Sequence, residues 1–382
     1  MTAKTTHFRV DNGDMMLIEF ESGRRVLVDV NIRTAADDAD DETPDVAKQL
    51  RARLTRDSQG RPYVDAFLLS HPDADHCRGL KKHFHLGKLS DWSKSADKIV
   101  IREMWSSPIV FRRASKNHTL CDDAKAWNTE ARRRVARYRE IWTSEDGDRI
   151  KILGEDVDGK TDDLGAILVR LDTDFSQVTG ITDSTFAARL LGPLPAGDDE
   201  EEDLLTKNDS STILNVTMKI GGQVGANYLI GGDAEVAIWE RVWKRNSVRK
   251  SVLEYDVLIA PHHCSWHSLS WDSWSKKGED GKVSEDARKA LGQAKSGACV
   301  LASSKPVVDD ENDPPCIRAK REYKAILNAV KGKFYCIADG SGDAPYELEV
   351  TAGGVKPLAK AAAAAVAAPY VSGVGATPLS HG

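Results

Sequence analysis

The sequence predicts an α/β fold, and three observations lead to that prediction. Short apolar runs bounded by Gly, Asp or Ser recur along the chain, which is typical of buried strands. Between them lie segments whose apolar residues recur every three or four positions, which is typical of amphipathic helices. The chain has 382 residues, 41% hydrophobic and 29% charged, which allows one large α/β domain or two smaller ones.

The strands are predicted from these apolar runs. Residues 15–20 and 24–30 are separated by "ESG" and predict a hairpin, and residues 64–70 predict a third, buried strand. Residues 211–220 and 226–233 predict a second hairpin across a Gly-rich turn. Further strands are expected at 97–105, 166–172, 186–194 and 255–260, in "ACVLASS" (298–304), in "KFYCIAD" (333–339) and in "YELEVTAG" (346–353).

The clearest helix is predicted at 120–142. Its apolar stripe comprises Ala124, Trp127, Ala131, Val135, Tyr138 and Trp142. Shorter helices are expected at 234–246 and near 318–331. Residues 357–382 are biased towards Ala, Gly and Pro, which predicts a flexible tail.

Composition and charge exclude several classes of protein. A net charge of −6 and a pI of about 6.0 argue against general coating of nucleic acid, but they leave a local basic groove open. No apolar stretch approaches the roughly 20 residues of a membrane span, and the first residues lack the apolar core of a signal peptide. Six cysteines without CxxC spacing indicate neither a zinc knuckle nor a disulfide framework. We therefore expect a reduced, cytoplasmic protein without a membrane partner.

Potential metal ligands collect at the ends of three predicted strands. The stretch "FLLSHPDADHCR" crowds four of them into one turn, and single or paired ligands follow the strands at 226–233 and 255–260. Because a sheet fixes its strand ends rigidly, three such ends can converge on one site. Imidazole and carboxylate are the usual ligands of zinc and neighbouring metals. The set comprises His71, Asp73, Asp75, His76, Asp233, His262 and His263.

Three motifs in this order, "SHPDADHCRGL", "YLIGGDAE" and "DVLIAPHHCS", resemble successive motifs of the metallo-β-lactamase superfamily. They are most similar to the hydrolase domain of ComEC-type DNA-uptake proteins and its stand-alone relatives. "RRVLVDV", with Asp29, "KNDSSTILNV", with Asn208 and Ser211, and "ACVLASS" resemble further motifs of that family. The resemblance covers residues 8–352 and is looser over 85–185.

The resemblance implies a metallo-β-lactamase fold, an αββα four-layer sandwich, as one hydrolase domain at 1–356 with a helical insertion at about 85–185. It implies two divalent ions, zinc or manganese, at one edge of the packed sheets, and occupancy by one metal stays open. His71 and Asp73 would help to bind the first ion, and Asp75 and His76 would belong to the second. Asp233 would bridge the two ions. His262 or His263 would close the second position, while the other would orient its neighbour.

Two positions depart from the superfamily's commonest pattern. Asp73 stands where His-x-His-x-Asp-His has its second histidine, as it does in ComEC-type members. No histidine occurs in 186–211, so Asn208, Asp209 or Ser211 would replace the third-motif ligand. Mostly oxygen ligands at the first ion would weaken zinc there and favour manganese or magnesium. Cys264 replaces the glycine of "HHGS" and is expected in a tight turn.

The implied activity is metal-dependent hydrolysis, and we expect a phosphodiesterase or nuclease. Two ions lower the pKa of a bridging water, so no protein nucleophile is needed. Asp75 is expected to orient the attacking hydroxide, and His267 or a metal-bound water to protonate the leaving group. The arginines of the predicted helix at 120–142 suit phosphate because a guanidinium donates two hydrogen bonds at once. Substrate contacts, with a nucleic acid or nucleotide, are expected from Arg133, Arg137, Ser211 and Trp266.

Other interpretations stay open on the sequence alone. "HPDADH" also fits a surface turn, and an arginine-rich helix also fits a solvated face. A hydrolase of lactam, lactone or thioester bonds on the same fold would lack convergent arginines in its pocket. A non-enzymatic, metal-stabilised binding or regulatory module would act inside a larger assembly. A transport role would need a partner protein from the same operon, and the sequence does not predict the oligomeric state.

Overall fold

Two large β-sheets and a small two-stranded one make up a mixed α/β structure. The computed structural model describes residues 2–38, 40–108, 120–142, 145–156, 159–194, 207–340 and 342–358. Within these ranges, no helix combines the length and the hydropathy that a membrane crossing requires.

The first sheet has ten strands in the order β20-β19-β1-β2-β3-β5-β7-β8-β9, with β6 beside β7. Its strands are β1 (Ala3–His7), β2 (Met16–Glu19), β3 (Arg25–Val28), β5 (Tyr63–Leu69), β6 (Phe84–His85), β7 (Ile99–Ser106), β8 (Arg149–Leu153), β9 (Leu168–Val169), β19 (Tyr346–Thr351) and β20 (Gly354–Pro357). The two-residue strand β4 (Val30–Asn31) bridges to Cys77 and Arg78.

The second sheet has seven strands in the order β10-β13-β14-β15-β16-β17-β18. They are β10 (Asp174–Phe175), β13 (Phe186–Gly192), β14 (Ile213–Ile220), β15 (Gln223–Ile230), β16 (Tyr255–Ile259), β17 (Ala294–Ala302) and β18 (Lys333–Cys336). The small sheet pairs β11 (Gln177–Val178) with β12 (Ile181–Thr182).

The two large sheets repeat one succession of strands. In the first, the antiparallel pair β2–β3 is followed by the parallel strands β5, β7 and β8. In the second, the antiparallel pair β14–β15 is followed by the parallel strands β16, β17 and β18. The loops after β5, β15 and β16 carry the potential metal ligands, and β5 and β16 hold equivalent places as the strand that pairs in parallel with the antiparallel pair.

Eight helices accompany the sheets in the described ranges: α1 (Val46–Arg51), α2 (Ala74–Cys77), α3 (Leu80–His83), α4 (Asp122–Ile141), α5 (Val236–Asn246), α6 (Trp274–Lys277), α7 (Glu285–Leu291) and α8 (Ile317–Asn328). Short 3-10 turns lie at Thr34–Asp37, Leu89–Asp91, Lys207–Ser210, Ser247–Leu253, Trp266–Ser268, Gly278–Asp280 and Ile337–Asp339. Pro261–Cys264 forms a single turn whose last three residues have positive φ.

Helix α4 confirms the strongest helical prediction. Cys121 caps its amino terminus, and two aspartates in the first turn complement the helix dipole. The predicted stripe is buried from Ala124 to Tyr138, whereas Trp142 is 62% exposed and ends the helix in the left-handed conformation. Trp127 packs edge-on against Phe67 of β5, with ring centroids 5.0 Å apart. The stripe therefore holds α4 on the first sheet.

Buried apolar side chains fall into three clusters because side chains alternate across each strand. Leu27 points into a cluster that the first sheet shares with α1, α3 and α4. Its neighbours Val26 and Val28 point into a cluster that contains side chains of both large sheets, including Tyr228. The third cluster joins the second sheet to α5, α7 and α8 and includes Trp239.

The segment expected to be a helical insertion, 85–185, is built into the first sheet. Strand β7 lies between β5 and β8 and pairs in parallel with both, so the sheet would be interrupted without it. The predicted strand at 166–172 shortens to β9, and the polar strand β1 and the short strand β8 were not predicted. The tail predicted at 357–382 lies outside the described residues beyond position 358.

A buried histidine on β1 makes stability depend on pH. His7 is 2% exposed, and its Nε2 lies 3.0 Å from the Thr5 hydroxyl, which lies 3.2 Å from the Tyr228 hydroxyl of the second sheet. Burial lowers the pKa of His7 from 6.5 to about 3. Between these two values the unfolded chain binds a proton that the folded protein excludes. This difference leaves the free energy of unfolding unchanged above the unfolded pKa of His7. It lowers the free energy of unfolding progressively as pH falls from the unfolded pKa towards the folded pKa.

We expect the free energy of unfolding to fall with pH below 6.5, with His7 contributing about 1.4 kcal/mol per pH unit. His7→Gln removes this contribution, so its unfolding energy declines less steeply. Urea titrations at about pH 7, 6 and 5 measure the slope. His85→Gln, at a partly exposed histidine, is the matched control and keeps the wild-type slope. An unchanged slope in His7→Gln would contradict the assignment.

Candidate metal centre

The turn after β5 brings two histidines out of the first sheet. Asp73 caps α2, since its Oδ1 accepts a hydrogen bond from the Ala74 N–H at 2.8 Å. This cap starts the helical turn that carries Asp75 and His76. His71 is 1% exposed and His76 is fully buried. The alternative interpretation of "HPDADH" as a surface turn therefore does not hold on its histidine side, which is buried.

Asp233 leaves the second sheet through a turn that requires glycine. Gly232 has φ +49°, and an added Cβ would lie 2.9 Å from the Ser70 hydroxyl. The Ser211 hydroxyl accepts a hydrogen bond from the Asp233 N–H at 3.1 Å. Asp233 is 2% exposed. The close approach of the segments around Gly232 and Ser70 places the Asp233 carboxylate beside the histidines of the first sheet.

The histidine pair lies in a left-handed turn after β16. His262, His263 and Cys264 have φ values of 49°, 53° and 69°, a conformation that costs non-glycine residues about 1–3 kcal/mol each. The His262 N–H donates to the Gly232 carbonyl at 3.0 Å, which joins this turn to the Asp233 turn. Strain of this kind persists where the surrounding structure enforces it, as at ligand-binding sites.

The Nε2 atoms of all four histidines converge on the Asp233 carboxylate. His76 Nε2 lies 3.1 Å from Oδ1, and His263 Nε2 lies 3.4 Å from Oδ2. The corresponding distances to Oδ2 are 3.8 Å for His71 and 3.9 Å for His262. Residues from both sheets thus surround one buried carboxylate.

Several of these atoms are buried without a hydrogen bond of acceptable geometry in the described structure: Nε2 of His71, His76 and His263, and Oδ1 of Asp233. Buried polar atoms are nearly always paired, so a cluster of unpaired ones requires an explanation. Imidazole nitrogens and carboxylate oxygens directed at one point suit a divalent cation. One atom each from Asp14, His76, Asp233 and His263 lie within 4.8 Å of one another. These residues fit a metal ion.

A second layer of polar groups orients the histidines. Asp29 Oδ2 lies 2.8 Å from His76 Nδ1. Ser70 donates to Asp29 from its N–H at 2.7 Å and from its hydroxyl at 2.6 Å, and the same hydroxyl lies 3.1 Å from His71 Nδ1. Occupying Nδ1 in this way leaves Nε2 directed at Asp233, which is how proteins usually orient metal-binding histidines.

The charges of the centre favour a cation within it. Burial lowers the pKa of His76, but the Asp233 and Asp29 carboxylates outweigh it and raise that pKa well above its usual value. Burial is likewise outweighed by Asp233 at His263, whose pKa rises to about 10. The pKa of Asp233 is held well below its usual range, because His263 and His76 outweigh its burial. Positive charge beside Asp233 is therefore strongly stabilised.

His71 differs from His76 and His263. Burial, and then the neighbouring His76, lower its pKa to about 4. Its imidazole is therefore neutral near pH 7, the form in which histidine binds metals.

Asp14 and Glu235 belong to the site but were not predicted from the sequence. Asp14 is 8% exposed, and its oxygens lie 3.9 Å from His263 Nδ1 and 4.0 Å from His76 Nδ1. Burial raises the pKa of Asp14 to about 6. Glu235 Oε1 lies 3.7 Å from His262 Nδ1. Asp14 precedes a strand and Glu235 stands two residues after Asp233, so neither residue directly follows a predicted strand.

The structure separates the two histidines that the sequence left undecided. His263 is 1% exposed at its side chain, and its Nε2 lies 3.3 Å from Asp75 and 3.4 Å from Asp233. His262 is 16% exposed at its side chain, lies farther from Asp233 and faces Glu235. His263 is thus the better placed ligand. Asn208 donates to Glu235 at 2.9 Å, and Ser211 fixes the Asp233 backbone.

Four predicted residues are not brought to the centre. His267 is 40% exposed and lies 3.8 Å from Asp313, while Trp266 is fully buried in the third cluster and lines no surface. Arg133 pairs with Glu130 at 2.7 Å and Asp148 at 2.6 Å, and Arg137 pairs with Glu140 at 2.8 Å.

Asp148 directly precedes β8, at the amino-terminal edge of the parallel strands. The metal centre lies at their carboxyl edge, so the arginine helix directs Arg133 and Arg137 towards the opposite end of the sheet. Phosphate binding by these two arginines stays a prediction that their ion pairs do not favour. Arg112 and Arg113 lie outside the described residues.

Comparisons with known proteins add little to this geometry. No family model matches the sequence, and no curated protein matches it. One similar solved structure is described as a "possible metal-dependent hydrolase" from Veillonella parvula DSM 2008. Its TM-score is 0.36 at 10% identity, over 88% of this chain and 97% of that chain. A similarity at this level carries no argument, so the site is interpreted from its own residues.

We expect His263→Ala to weaken zinc binding more than about 100-fold and His262→Ala about 10-fold, because His263 is the closer of the two to Asp233. Competition with a fluorescent chelator, starting from metal-stripped protein, measures both affinities. His85→Ala, which removes a histidine on the short strand β6, should bind zinc as the wild type does. Equal losses in the two variants, or a larger loss in His262→Ala, would contradict the ligand assignment.

Proposed function

We propose that this protein is a metal-dependent hydrolase of the metallo-β-lactamase superfamily, similar to the ComEC-type domain, that cleaves phosphodiester bonds in a nucleic acid or nucleotide. One observation carries the proposal: four histidine Nε2 atoms from two sheets converge within 4 Å of the buried Asp233 carboxylate. The order of the motifs along the chain agrees with this superfamily.

The hydrophobic clusters support an αββα arrangement. One cluster contains side chains of both large sheets, which is expected where two sheets pack face to face. Each of the other two contains one sheet and its own helices. A four-layer sandwich has two packed sheets in the middle and helices on both outer faces, and the three clusters agree with that arrangement.

The ligands divide into two groups around Asp233. His76, His263 and Asp75 would hold one ion, with Asp14 beside them. His71 and Asp73 would hold the other, on the side of the carboxylate that His262 faces. Zinc or manganese suits the first group, and occupancy by a single ion remains part of the proposal. A bound divalent ion supplies a Lewis acid that lowers the pKa of water and polarises a phosphoryl oxygen.

Asp75 is proposed to orient the attacking water and accept its proton. Its side chain is 32% exposed, compared with 3% for Asp233, so it can reach a substrate. Burial raises the pKa of Asp75, but His263, whose Nε2 lies 3.3 Å away, and His76 outweigh it and hold the pKa well below its usual range. The carboxylate is therefore ionised and able to act as an acceptor.

A cationic side chain close in sequence to the centre supports an anionic substrate. Arg78 stands two residues after His76 and lines a cavity of about 260 Å³, whose other charged residues are Arg33, Lys81, Lys82, Asp37, Asp122 and Asp123. Those three cations form ion pairs with Asp11, Asp122 and Asp37. Arg78 donates to the neutral Asn31 Oδ1 at 3.2 Å. We therefore assign phosphate recognition to Arg78 in preference to Arg133 and Arg137.

We expect the wild type, with Mn²⁺ or Zn²⁺, to hydrolyse bis-p-nitrophenyl phosphate and single-stranded DNA or RNA. Asp75→Asn and Asp233→Asn should lose about 100-fold or more in kcat/KM, because each removes a charge beside the reacting centre. Asp286→Asn, on the exposed side of α7, is the control and should be fully active.

An inert wild type with tightly bound metal would overturn the phosphodiester proposal. Assays with lactams, lactones and thioesters would then test for another hydrolase. Inactivity there too would favour a metal-stabilised binding module.

Arg78→Ala should raise KM for bis-p-nitrophenyl phosphate about 10-fold and leave kcat within about twofold, because the proposed guanidinium–phosphate contact would be made equally in the ground and transition states. Steady-state kinetics at low salt measures this effect. Lys82→Ala removes an exposed cation that is paired with Asp37 and is the matched control. An unchanged KM in Arg78→Ala would remove Arg78 from the substrate site.

A further inference from the structure

Two cysteines from different helices are in contact beside the metal centre. Cys77 is the last residue of α2, and Cys121 caps α4. Their sulfur atoms lie 3.6 Å apart although the residues are 44 positions apart in the sequence. No local pattern in the sequence pairs them, since neither residue belongs to a CxxC motif. Folding, not spacing, creates this dithiol.

Cys121 has the environment of a reactive thiol. Its sulfur accepts a hydrogen bond from the Ala124 N–H at 3.4 Å, at the amino terminus of the 20-residue helix α4. The helix dipole and the free N–H groups of the first turn stabilise a thiolate there. The neighbouring Cys77 thiol, and then the backbone N–H groups of Ala124 and Asp123, outweigh partial burial and lower the pKa of Cys121 to about 6. Cys121 is also partly exposed.

Cys77 has the complementary environment. It is fully buried, and its thiol donates to the Asp73 carbonyl at 2.9 Å. This hydrogen bond holds a protonated thiol against the turn that carries the metal ligands. A buried thiol in contact with a more reactive one is placed to complete a disulfide.

We propose that Cys77 and Cys121 form a reversible disulfide when the protein meets a peroxide. The Cys121 thiolate attacks a peroxide oxygen, which gives a sulfenic acid and releases hydroxide. The Cys77 sulfur then displaces the hydroxyl of the sulfenic acid, forming the S–S bond, and its proton leaves with that hydroxyl as water. Two thiols are oxidised by two electrons, and hydrogen peroxide is reduced to two waters. This modification site is independent of the proposed hydrolase activity.

The disulfide would connect α4 to the turn that follows β5. Cys77 directly follows His76, so the bond would attach the metal-binding turn covalently to the longest helix of the described structure. It would also remove the hydrogen bond from Cys77 to Asp73. The other four cysteines, Cys264, Cys299, Cys316 and Cys336, are buried, so they serve as internal controls.

Peptide mapping of the intact wild-type protein tests the proposal. After brief treatment with dilute hydrogen peroxide, alkylation and tryptic digestion without reductant, residues 57–78 and 117–125 should appear as one joined peptide. Its mass should be two hydrogens below the sum of the two peptides, and dithiothreitol should separate them. The four control cysteines should remain alkylated. Peptides 57–78 and 117–125 that stay separate and reduced, or that join only between two chains, would overturn the proposal.

Variants separate the roles of the two thiols. Cys121→Ser should slow peroxide consumption about tenfold or more, because the stabilised thiolate is gone. Cys77→Ala should halt the reaction at a sulfenic acid on Cys121, which dimedone traps. Cys299→Ser, at another buried cysteine, is the matched control and should give the wild-type yield of joined peptide. Dimedone labelling of Cys77 in Cys121→Ser, without labelling of Cys121 in Cys77→Ala, would reverse the assignment. The wild-type map remains decisive if a variant fails to fold.

Discussion

The arrangement of this protein depends on a single buried carboxylate. Asp233 comes from the second sheet, yet its charge is compensated by histidines of both sheets. An isolated buried carboxylate would cost several kcal/mol, so the carboxyl edges of the two sheets have to meet at this point. Three features bring the two edges together: the glycine turn before Asp233, the left-handed histidine turn, and the hydrogen bonds between Asp29 and Ser70. Each sets the position or direction of one group around the carboxylate.

The sequence predicted the parts of the site that follow strand ends. His71, His76, Asp233 and His263 were found because apolar runs mark buried strands and the ligands come directly after them. Asp14 was missed because it reaches the site through a loop before a strand, held by the Ser303 hydroxyl on the Gly13 carbonyl at 2.6 Å. Contacts of that kind depend on tertiary packing and leave no local pattern.

For the fold too, the sequence predicted the elements that have a local pattern and missed those that depend on tertiary packing. Buried strands and amphipathic helices have a periodicity that is visible in the sequence. Strand β1 contains the polar residues Lys4, Thr5 and Thr6, and it forms a strand because it pairs with β2 and β19. The segment 85–185 resembled an insertion because its motifs match the family loosely, although it supplies β7 and β8 to the first sheet. Likewise the repeated succession of strands has no counterpart in the sequence, since the two halves share topology without sharing residues.

The order of the first sheet has a consequence for biosynthesis. Strand β1 is made first, yet one of its two partners, β19, begins at Tyr346. His71 and His76 likewise leave the ribosome long before Asp233 and His263. During most of its synthesis, the nascent chain therefore carries histidines of the first sheet without their partners from the second, and a β1 edge without β19. Such exposed, unpaired segments favour misassembly. The four ligand side chains can meet only after His263 has emerged, and the first sheet can close only after β19 has emerged.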